Sequence, residues 1–335
     1  MKQTETVRVH NLSTGYRTKG HTTVVACRIN ASLQAGELTC LLGPNGAGKS
    51  TLLRTLSAFQ LPLDGEILLL GKQLTEYTEQ QLATRIGVVL TERCDINNMT
   101  TEELVGMGRS PYTGFWGGLT MNDLNKVEEA IEWVRIGHLK GRMVQTLSDG
   151  ERQKVMIAKA LAQETPVILL DEPTAFLDYP SKVEIMQLLH DLARTKQKTI
   201  FLSTHDLELA LQLADRLWLM DKERGVVTGT PEDLSLDGNL EQFFTREGIV
   251  FNRLEGLFRI NAPIRWRVQL SGEGEYLLMA QKALRRNGIG ESGGVELDLH
   301  IHAASNGFNV NGQTVTSIEE MLALTRSYIS LVEKQ

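Results

Sequence analysis

The segment GPNGAGKST, residues 43–51, carries residues whose types and spacing suit phosphate chemistry. It matches the pattern G-x-x-x-x-G-K-[ST], with a short apolar run (38–42) before it and a helical apolar pattern after it. In this pattern, glycines let backbone N–H groups close around phosphates, Lys49 reaches the β- and γ-phosphates, and the Ser50 hydroxyl ligates Mg²⁺. The candidate phosphate-binding residues are Gly43, Pro44, Asn45, Gly46, Ala47, Gly48, Lys49, Ser50 and Thr51. The sequence therefore predicts a nucleoside triphosphate site.

A second segment, VILLDE (167–172), places two acids directly after four apolar residues. An unbroken apolar run is typical of a parallel strand that is covered on both faces. Asp171 is the candidate carboxylate for Mg²⁺, and Glu172 is placed to act as general base for an attacking water. The alternative for Glu172 is a solvated acid at a strand end. The pair favours hydrolysis over storage of the nucleotide.

A third apolar run, TIFLS, ends at Thr204-His205-Asp206 before another helical pattern. The ends of parallel strands share one rim of a sheet, so we expect His205 near Lys49 and Glu172. There it can hydrogen-bond the γ-phosphate and orient the water. The alternative is a histidine that only fills surface or core space.

The segment LSDGERQKV (147–155) predicts the start of a helix. Ser148 and Asp149 are good N-cap residues, and Glu151 adds negative charge to the first turn. Free backbone N–H groups at such a helix start can bind an anion. Taken alone, the segment is equally consistent with a well-capped helix that binds nothing.

The elements that must position these residues belong to a chain of ordinary composition. Its 335 residues predict about two domains, with 41% hydrophobic and 23% charged residues. The net charge of −6 disfavours bulk binding to nucleic acid or anionic lipid. Cys27, Cys40 and Cys94 show no ligand-like spacing and are expected to be reduced packing residues of a cytosolic protein. The sequence has neither a secretory signal pattern nor an apolar run of about 18 residues, so any membrane role is expected to be indirect.

Taken in order, these segments resemble the ATP-binding subunits of ATP-binding cassette (ABC) transporters. The matching pieces are GPNGAGKST, LSDGE, VILLDEP, AFLD (175–178) and His205, over roughly residues 5–235. The resemblance implies an α/β P-loop NTPase cassette with a helical subdomain, which binds ATP and Mg²⁺ and works as a homodimer. It also implies that Ser148 and Gly150 contact the ATP held by a second subunit, and that Asp178 lies in a loop crossing the dimer seam.

Three positions need comment against the family pattern. Asp149 stands where the family usually has Gly, and we expect its side chain to point away from the phosphates and cap its helix; the alternative is that it weakens closure of the dimer. Glu92, preceded by Thr91, replaces a Gln that senses Mg²⁺ and water. A carboxylate can still ligate Mg²⁺, so Glu92 is a candidate metal and nucleotide ligand. Tyr16 matches the aromatic residue that stacks on adenine; the alternative is an ordinary tyrosine at a strand end.

Two longer stretches, GRSPYTGFWG and DEPTAFLDYPSKVEIMQLL, resemble the subunits that serve siderophore, heme and cobalamin importers. This resemblance implies two transmembrane permease subunits, an indirect substrate-binding protein, no nucleic-acid partner, and a place on the cytoplasmic face of the cell membrane. The mostly helical insertion 96–146, with Tyr112, Phe115, Trp116 and a helix over 122–134, would grip the permease.

The pattern predicts a nucleotide-binding domain over 1–240, with a helical subdomain at about 93–147, and an α+β accessory domain over 241–335. In the accessory domain, strands are expected at 264–270 and 295–303, and helices at 275–288 and in SIEEMLALTRSYISLV, with a turn at NGQTV. His300 and His302 share a strand face with Glu296 and Asp298. The simplest interpretation is the polar face of a half-buried strand whose other face holds Val295, Leu297, Leu299 and Ile301. No role is assigned to this domain beyond regulation or dimer contact.

Other functions fit the same motifs less well. An exporter ATPase has the same chemistry and a different membrane partner. A non-transport cassette protein acting on ribosomes or DNA usually carries two cassettes or long coiled-coil insertions, and neither feature is present. A P-loop kinase or GTPase would leave LSDGE unexplained, and the sequence has no base-reading NKxD.

Overall fold

The computed structural model describes residues 4–18, 20–90, 98–114, 117–244, 249–252, 257–260 and 263–333. It divides into two compact units. The first comprises Met1–Thr245 and Arg253–Leu257, and the second Arg246–Asn252 and Phe258–Gln335. Within the described residues, no helix combines the length and the apolar character needed to cross a bilayer.

Helices and strands are labelled in chain order. The strands of the first unit are β1 Glu5–Thr18, β2 His21–Gln34, β3 Leu38–Leu42, β4 Asp64–Leu69, β5 Lys72–Gln73, β6 Ile86–Val89, β7 Val167–Asp171, β8 Thr199–Ser203, β9 Arg216–Asp221 and β10 Gly225–Gly229. Its α-helices are α1 Lys49–Leu56, α2 Glu79–Ala83, α3 Thr101–Gly106, α4 Met121–Trp133, α5 Asp149–Ala162, α6 Tyr179–Lys196, α7 Leu207–Leu213, α8 Pro231–Leu236 and α9 Asn239–Phe244. Short 3₁₀ helices lie at Leu74–Glu76, Met107–Tyr112, Gly137–Leu139 and Val144–Thr146.

A six-stranded sheet in the order β10-β9-β3-β8-β7-β6 forms the centre of the first unit. Strands β6, β7, β8, β3 and β9 are parallel, and β10 joins the edge antiparallel to β9. All residues of β3 and β8 are buried, as expected for parallel strands covered on both faces. The three predicted strands are confirmed. Their carboxyl ends meet at one rim, which carries the phosphate loop, Glu172 and His205.

A second, antiparallel sheet in the order β2-β1-β4-β5 covers helix α1. Apolar residues of β1 and β2, including Leu12 and Ile29, share one core cluster with Leu52 of α1 and with Phe201 and Trp218 of the central sheet. Helix α1 is thus packed between two sheets. This packing holds the phosphate loop, which lies directly before α1, in a rigid setting.

Helices α3, α4 and α5 contact one another and form the helical part of the first unit. The buried Arg109 side chain joins three segments there: it lies 3.0 Å from Asp123 and 2.9 Å from Glu164, and it donates to the Ala162 carbonyl at 2.7 Å. Its guanidinium also stacks on Tyr112, 4.1 Å from the ring centroid. The helix predicted over 122–134 is confirmed within one residue. Phe115 and Trp116 lie outside the described residues.

The second unit has strands β11 Ile249–Asn252, β12 Leu257–Ile260, β13 Trp266–Gly272, β14 Ile289–Gly290, β15 Val295–Ala304, β16 Gly307–Val310 and β17 Gln313–Val315. Its helices are α10 Gly274–Arg286 and α11 Ile318–Val332. The sheet order is β14-β13-β15-β16-β17, and a turn at Asn311 and Gly312 joins β16 to β17. Residues of both helices form one core cluster with alternate residues of β15.

Strand β15 alternates as predicted, with one exception. Leu297, Leu299 and Ile301 are buried, whereas His300 and His302 are exposed. The prediction that Val295 lies on the buried face is wrong, because this first residue of the strand is 59% exposed and lies outside the apolar cluster. Groups of three or more His, Cys, Asp or Glu side chains that could hold a metal ion do not occur in the described part of the chain.

The cysteines differ in environment. Cys40 is fully buried in β3, which fits a packing role, but the prediction that Cys27 is a packing residue is wrong. Cys27 lies on β2, the edge strand of the antiparallel sheet, and its side chain is exposed. Cys94 lies outside the described residues.

Candidate functional site

The phosphate loop connects the end of β3 to the start of α1. Gly43 approaches β9 so closely that a Cβ atom there would lie 2.2 Å from the Met220 carbonyl oxygen. Gly48 has φ +105°, and a Cβ atom there would lie 2.1 Å from Val25 Cγ1. Only glycine fits either position without a shift of neighbouring atoms. The loop is therefore a backbone cradle shaped by its neighbours, as phosphate binding requires.

The Lys49 side chain is buried over this loop. Its Nζ donates to the carbonyl oxygens of Gly43 at 2.8 Å and Pro44 at 3.3 Å. Burial lowers the pKa of Lys49, while the nearby carboxylates of Glu172 and Asp171 act in the opposite direction. Ser50 is exposed at the first turn of α1, and Thr51 is buried. The structure thus brings the predicted cation to the same rim as the two predicted acids.

Asp171 is the last residue of β7 and Glu172 follows it at this rim, where the neighbouring strand β8 holds both in place. The Ser203 hydroxyl donates to Asp171 Oδ1 at 2.6 Å and accepts from the Glu172 backbone N–H at 3.0 Å. Glu172 has φ +48°, in the left-handed region that glutamate rarely adopts. The prediction that these two acids lie at the end of a buried strand is confirmed.

His205 faces Glu172 across the rim. Its Nε2 lies 2.6 Å from Glu172 Oε1, with both side chains partly exposed. They line a cleft of about 330 Å³ that also includes Thr174, Lys182 and Asp206. Asp206 caps α7 through the Leu209 N–H at 3.3 Å and lies 3.3 Å from the Lys182 ammonium. The expected proximity of His205 and Glu172 is confirmed.

Tyr16 lies beside the phosphate loop, in β1. Its hydroxyl is 2.6 Å from Thr51 Oγ1, and its side chain remains partly exposed. An exposed ring anchored next to α1 offers a flat face for a base. Stacking on adenine stays a prediction.

Ser148 and Gly150 lie at the start of α5. The Ser148 hydroxyl accepts from the Glu151 N–H at 3.3 Å, and the Ser148 N–H donates to Glu151 Oε2 at 2.8 Å, which is a capping box. This bond from the Ser148 backbone lowers the pKa of Glu151. The predicted N-cap is confirmed, and the contact of Ser148 and Gly150 with a second subunit's nucleotide stays a prediction.

Asp178 caps the next helix. It accepts from the Ser181 N–H at 3.2 Å at the start of α6, and hydrogen bonding from Ser181 lowers the pKa of Asp178. The predicted place of Asp178 at a dimer seam stays a prediction. Glu92 and Thr91 lie outside the described residues.

The donor set fits magnesium. Mg²⁺ prefers oxygen ligands and is usually held by one or two carboxylates together with phosphate oxygens and waters. Ser50 and Asp171 supply a hydroxyl and a carboxylate beside the phosphate loop. Such a site does not need three protein acids, because phosphate oxygens of the nucleotide and waters would complete the magnesium coordination.

Ser203 is the site residue that the sequence analysis missed. It stands two residues before His205 in FLSTHD, at the last position of β8. A hydroxyl residue at the end of an otherwise apolar strand was the available signal. Its partners on β7 become visible only when the two strands are paired, with Asp171 opposite Ser203.

Comparison with known families gives two matches. Residues 27–175 match the family model described as ABC transporter, and residues 265–326 match the iron ABC transporter C-terminal domain. The first match contains the phosphate loop, the start of α5 and the two acids. The second lies within the second compact unit.

Curated relatives align with about two thirds to three quarters of this chain. An ABC transporter ATP-binding protein of Methanocaldococcus jannaschii is 40% identical over 77% of this chain and 88% of the relative. The ferric enterobactin transport ATP-binding protein FepC of Escherichia coli is 36% identical, over 66% of this chain and 81% of its own. The petrobactin import ATP-binding protein FpuC of Bacillus anthracis is 35% identical, over 69% and 85% respectively.

Solved structures agree with these matches. An inward-facing metal-chelate type ABC transporter aligns with a TM-score of 0.62 at 29% identity, over 72% of this chain and 89% of that chain. A dimeric bacterial ABC transporter cassette aligns with a TM-score of 0.59 at 25% identity, over 67% and 98%.

Proposed function

Because this chain belongs to the ABC transporter family and is an ATPase of that family, we propose that it energises import of an iron complex, either a siderophore or heme, or of cobalamin. The observation that carries this cargo class is the match of residues 265–326 to the iron ABC transporter C-terminal domain. The relatives named for ferric enterobactin and petrobactin support it. An exporter would share the ATPase chemistry without this second match.

At the nucleotide site, we infer that the phosphate loop and Lys49 bind the β- and γ-phosphates, and that Tyr16 stacks on adenine. Ser50 and Asp171 would hold Mg²⁺, with Glu92 as a further candidate ligand. When bound, Mg²⁺ supplies charge neutralisation of the phosphates. Lys49 already lies over the loop, so little side-chain ordering remains to be done when ATP arrives.

For hydrolysis, Glu172 is the general base and His205 orients the reacting groups. Water attacks the γ-phosphorus, its proton passes to Glu172, and the bond to the bridging oxygen breaks, which releases ADP and phosphate. The 2.6 Å contact between Glu172 and His205 supports this assignment, because it aims both groups at one cleft. Glu172 has φ +48°, and in this conformation its carboxylate contacts His205.

The active form is proposed to be a homodimer in which each α5 start meets the ATP of the other subunit. Ser148 and Gly150 would provide the hydroxyl and the close backbone approach, and Asp178 would lie at the seam. Two transmembrane permease subunits would receive the motion, and a substrate-binding protein would deliver the cargo to them. The subunit would then work at the cytoplasmic face of the cell membrane.

The proposal is tested with the chain co-purified with its permease and reconstituted with the substrate-binding protein in vesicles. Uptake of labelled ferric siderophores, heme and cobalamin is measured with ATP on the side of this subunit, and Lys49→Ala serves as the inactive control. ATP-dependent uptake of at least one cargo is expected. ATP-dependent efflux would establish an exporter instead. Stimulation of ATP hydrolysis by ribosomes or DNA, with no transport, would establish the non-transport alternative.

A further inference from the structure

The Ser203 hydroxyl connects the two acids of the site. Ser203 is fully buried at the end of β8 and lies opposite Asp171 in the parallel pairing with β7. It donates its one hydroxyl proton to Asp171 Oδ1 at 2.6 Å. Its oxygen also accepts from the Glu172 backbone N–H at 3.0 Å. A single side chain thus contacts the predicted magnesium ligand and the backbone of the predicted base.

The geometry gives each of these bonds a consequence. A short bond to Oδ1 fixes the rotation of the Asp171 carboxylate, so its direction is set before any ligand arrives. The hydrogen bond from the Glu172 N–H to Ser203 anchors the backbone of Glu172, whose φ is +48°. In this conformation the Glu172 carboxylate reaches His205 at 2.6 Å. Without the anchor, the backbone of Glu172 is freer to relax toward the ordinary region for a non-glycine residue.

We propose that Ser203 is a positioning residue that orients the Asp171 carboxylate for magnesium and holds Glu172 in the backbone conformation that faces His205. The inference rests on the proposed function, because it takes Asp171 as the magnesium-side ligand and Glu172 as the base. Hydrogen-bond partners of metal ligands typically change metal affinity or activity by about 10- to 100-fold when they are removed. Ser203 is expected to belong to this class.

The chain offers a matched control in Thr39. This residue of β3 is also fully buried, in the same sheet, and its hydroxyl has no hydrogen-bond partner among the described residues. Thr39→Val therefore removes a buried hydroxyl that forms no hydrogen bond with the described residues. Ser203→Ala removes the bridging hydroxyl, and Ser203→Thr retains it. The comparison separates loss of a hydroxyl from loss of this particular pair of bonds.

Two measurements are made on the full chain. The first is binding of a fluorescent ATP analogue as a function of Mg²⁺ concentration and in EDTA. The second is steady-state ATP turnover. For Ser203→Ala, the Mg²⁺ concentration for half-maximal binding should rise about 10-fold and turnover should fall about 10- to 100-fold. Binding in EDTA should be unchanged. Ser203→Thr should restore most of the lost Mg²⁺ affinity, and Thr39→Val should match the unmodified protein.

Two results would overturn the inference. Unchanged Mg²⁺ dependence and turnover in Ser203→Ala would show that the bridge is dispensable, and equal losses in Thr39→Val would reduce Ser203 to a packing role. If Ser203→Ala does not fold, Ser203→Cys replaces it. Because a thiol is a weak hydrogen-bond donor, the Mg²⁺ affinity of Ser203→Cys must then fall below that of Ser203→Thr. Glu172→Gln is assayed in parallel. If it keeps full turnover, the proposed role of Glu172 as general base fails, and the Mg²⁺ dependence of Ser203→Ala alone then tests whether Ser203 orients Asp171.

Discussion

Replacing Gly150 with alanine separates the two interpretations of the α5 start, a capped helix or a nucleotide contact. Gly150 is the second residue of α5. A Cβ atom there would lie 3.4 Å from Ser181 Oγ and 3.7 Å from Ser181 Cβ, with no other atom within 4 Å of it. These are ordinary van der Waals distances. The isolated subunit therefore accommodates the methyl group.

The expected magnitudes have opposite signs in the two states. In the monomer, Gly→Ala within a helix stabilises by about 0.5–1 kcal/mol, chiefly because the unfolded chain loses freedom. In the ATP-bound dimer, the methyl group would stand where backbone must approach a phosphate. Loss of one hydrogen bond to a charged group costs about 1.5–3 kcal/mol. Because a symmetric dimer has two such sites, the dimerisation constant should fall by roughly 100-fold or more.

The assay uses the Glu172→Gln background, so that bound ATP is not hydrolysed. Urea unfolding without nucleotide gives the free energy of unfolding, and sedimentation with ATP gives the dimerisation constant. Gly137→Ala is the matched control, because a Cβ atom at Gly137 would have no neighbour within 4 Å. It should leave dimerisation unchanged.

A clear result would refute the reasoning. If Gly150→Ala dimerises with ATP as strongly as the parent, no phosphate comes close to this backbone. The α5 start would then be a capped helix and nothing more. If instead the variant is less stable than the parent without nucleotide, the space next to Ser181 does not accept the methyl group.

Three further predictions concern the general base, the contact between subunits and the two described cysteines. Glu172→Gln should keep ATP binding while turnover falls about 100-fold or more, with an ATP-dependent dimer visible by size-exclusion chromatography; near-normal hydrolysis would remove Glu172 from the mechanism. Lys49→Ala and Ser148→Arg should each abolish ATP-dependent dimerisation, whereas their mixture should regain some of it, because a contact in trans leaves one seam site undamaged. A mixture no better than its parents would contradict the trans contact. Maleimide should modify the exposed Cys27 in the native protein but not Cys40, whose burial raises the pKa of its thiol far above the ordinary value. Peptide mapping that finds native Cys40 labelled would count against the buried core.

Local elements were predictable because their signals are contiguous. The phosphate loop follows β3 over the expected residues, and the cap of α5 follows from Ser148 and Glu151 three positions apart. Helix α4 and the elements β13, α10, β15 and α11 begin and end close to the predicted residues. In each case, neighbouring residues alone decide the hydrogen bonds or the apolar period.

Exposure was less predictable, since it depends on what covers a position. The apolar–polar alternation correctly gave the buried face of β15, but Val295 at the strand start is exposed and lies outside the apolar cluster. Cys27 is likewise exposed, and it lies on the edge strand β2. A residue's own type does not reveal where a covering layer ends.

The sequence alone determined the chemistry available to this protein: a phosphate cradle, a lysine, two acids and a histidine, each at a strand end. Only the tertiary structure decided how these groups act on one another. The parallel pairing of β7 with β8 places Ser203 against both Asp171 and Glu172, and it brings His205 within 2.6 Å of Glu172. These contacts join residues about thirty positions apart, and hydrogen bonds of 2.6–3.0 Å depend on strand order and register, which no local pattern encodes.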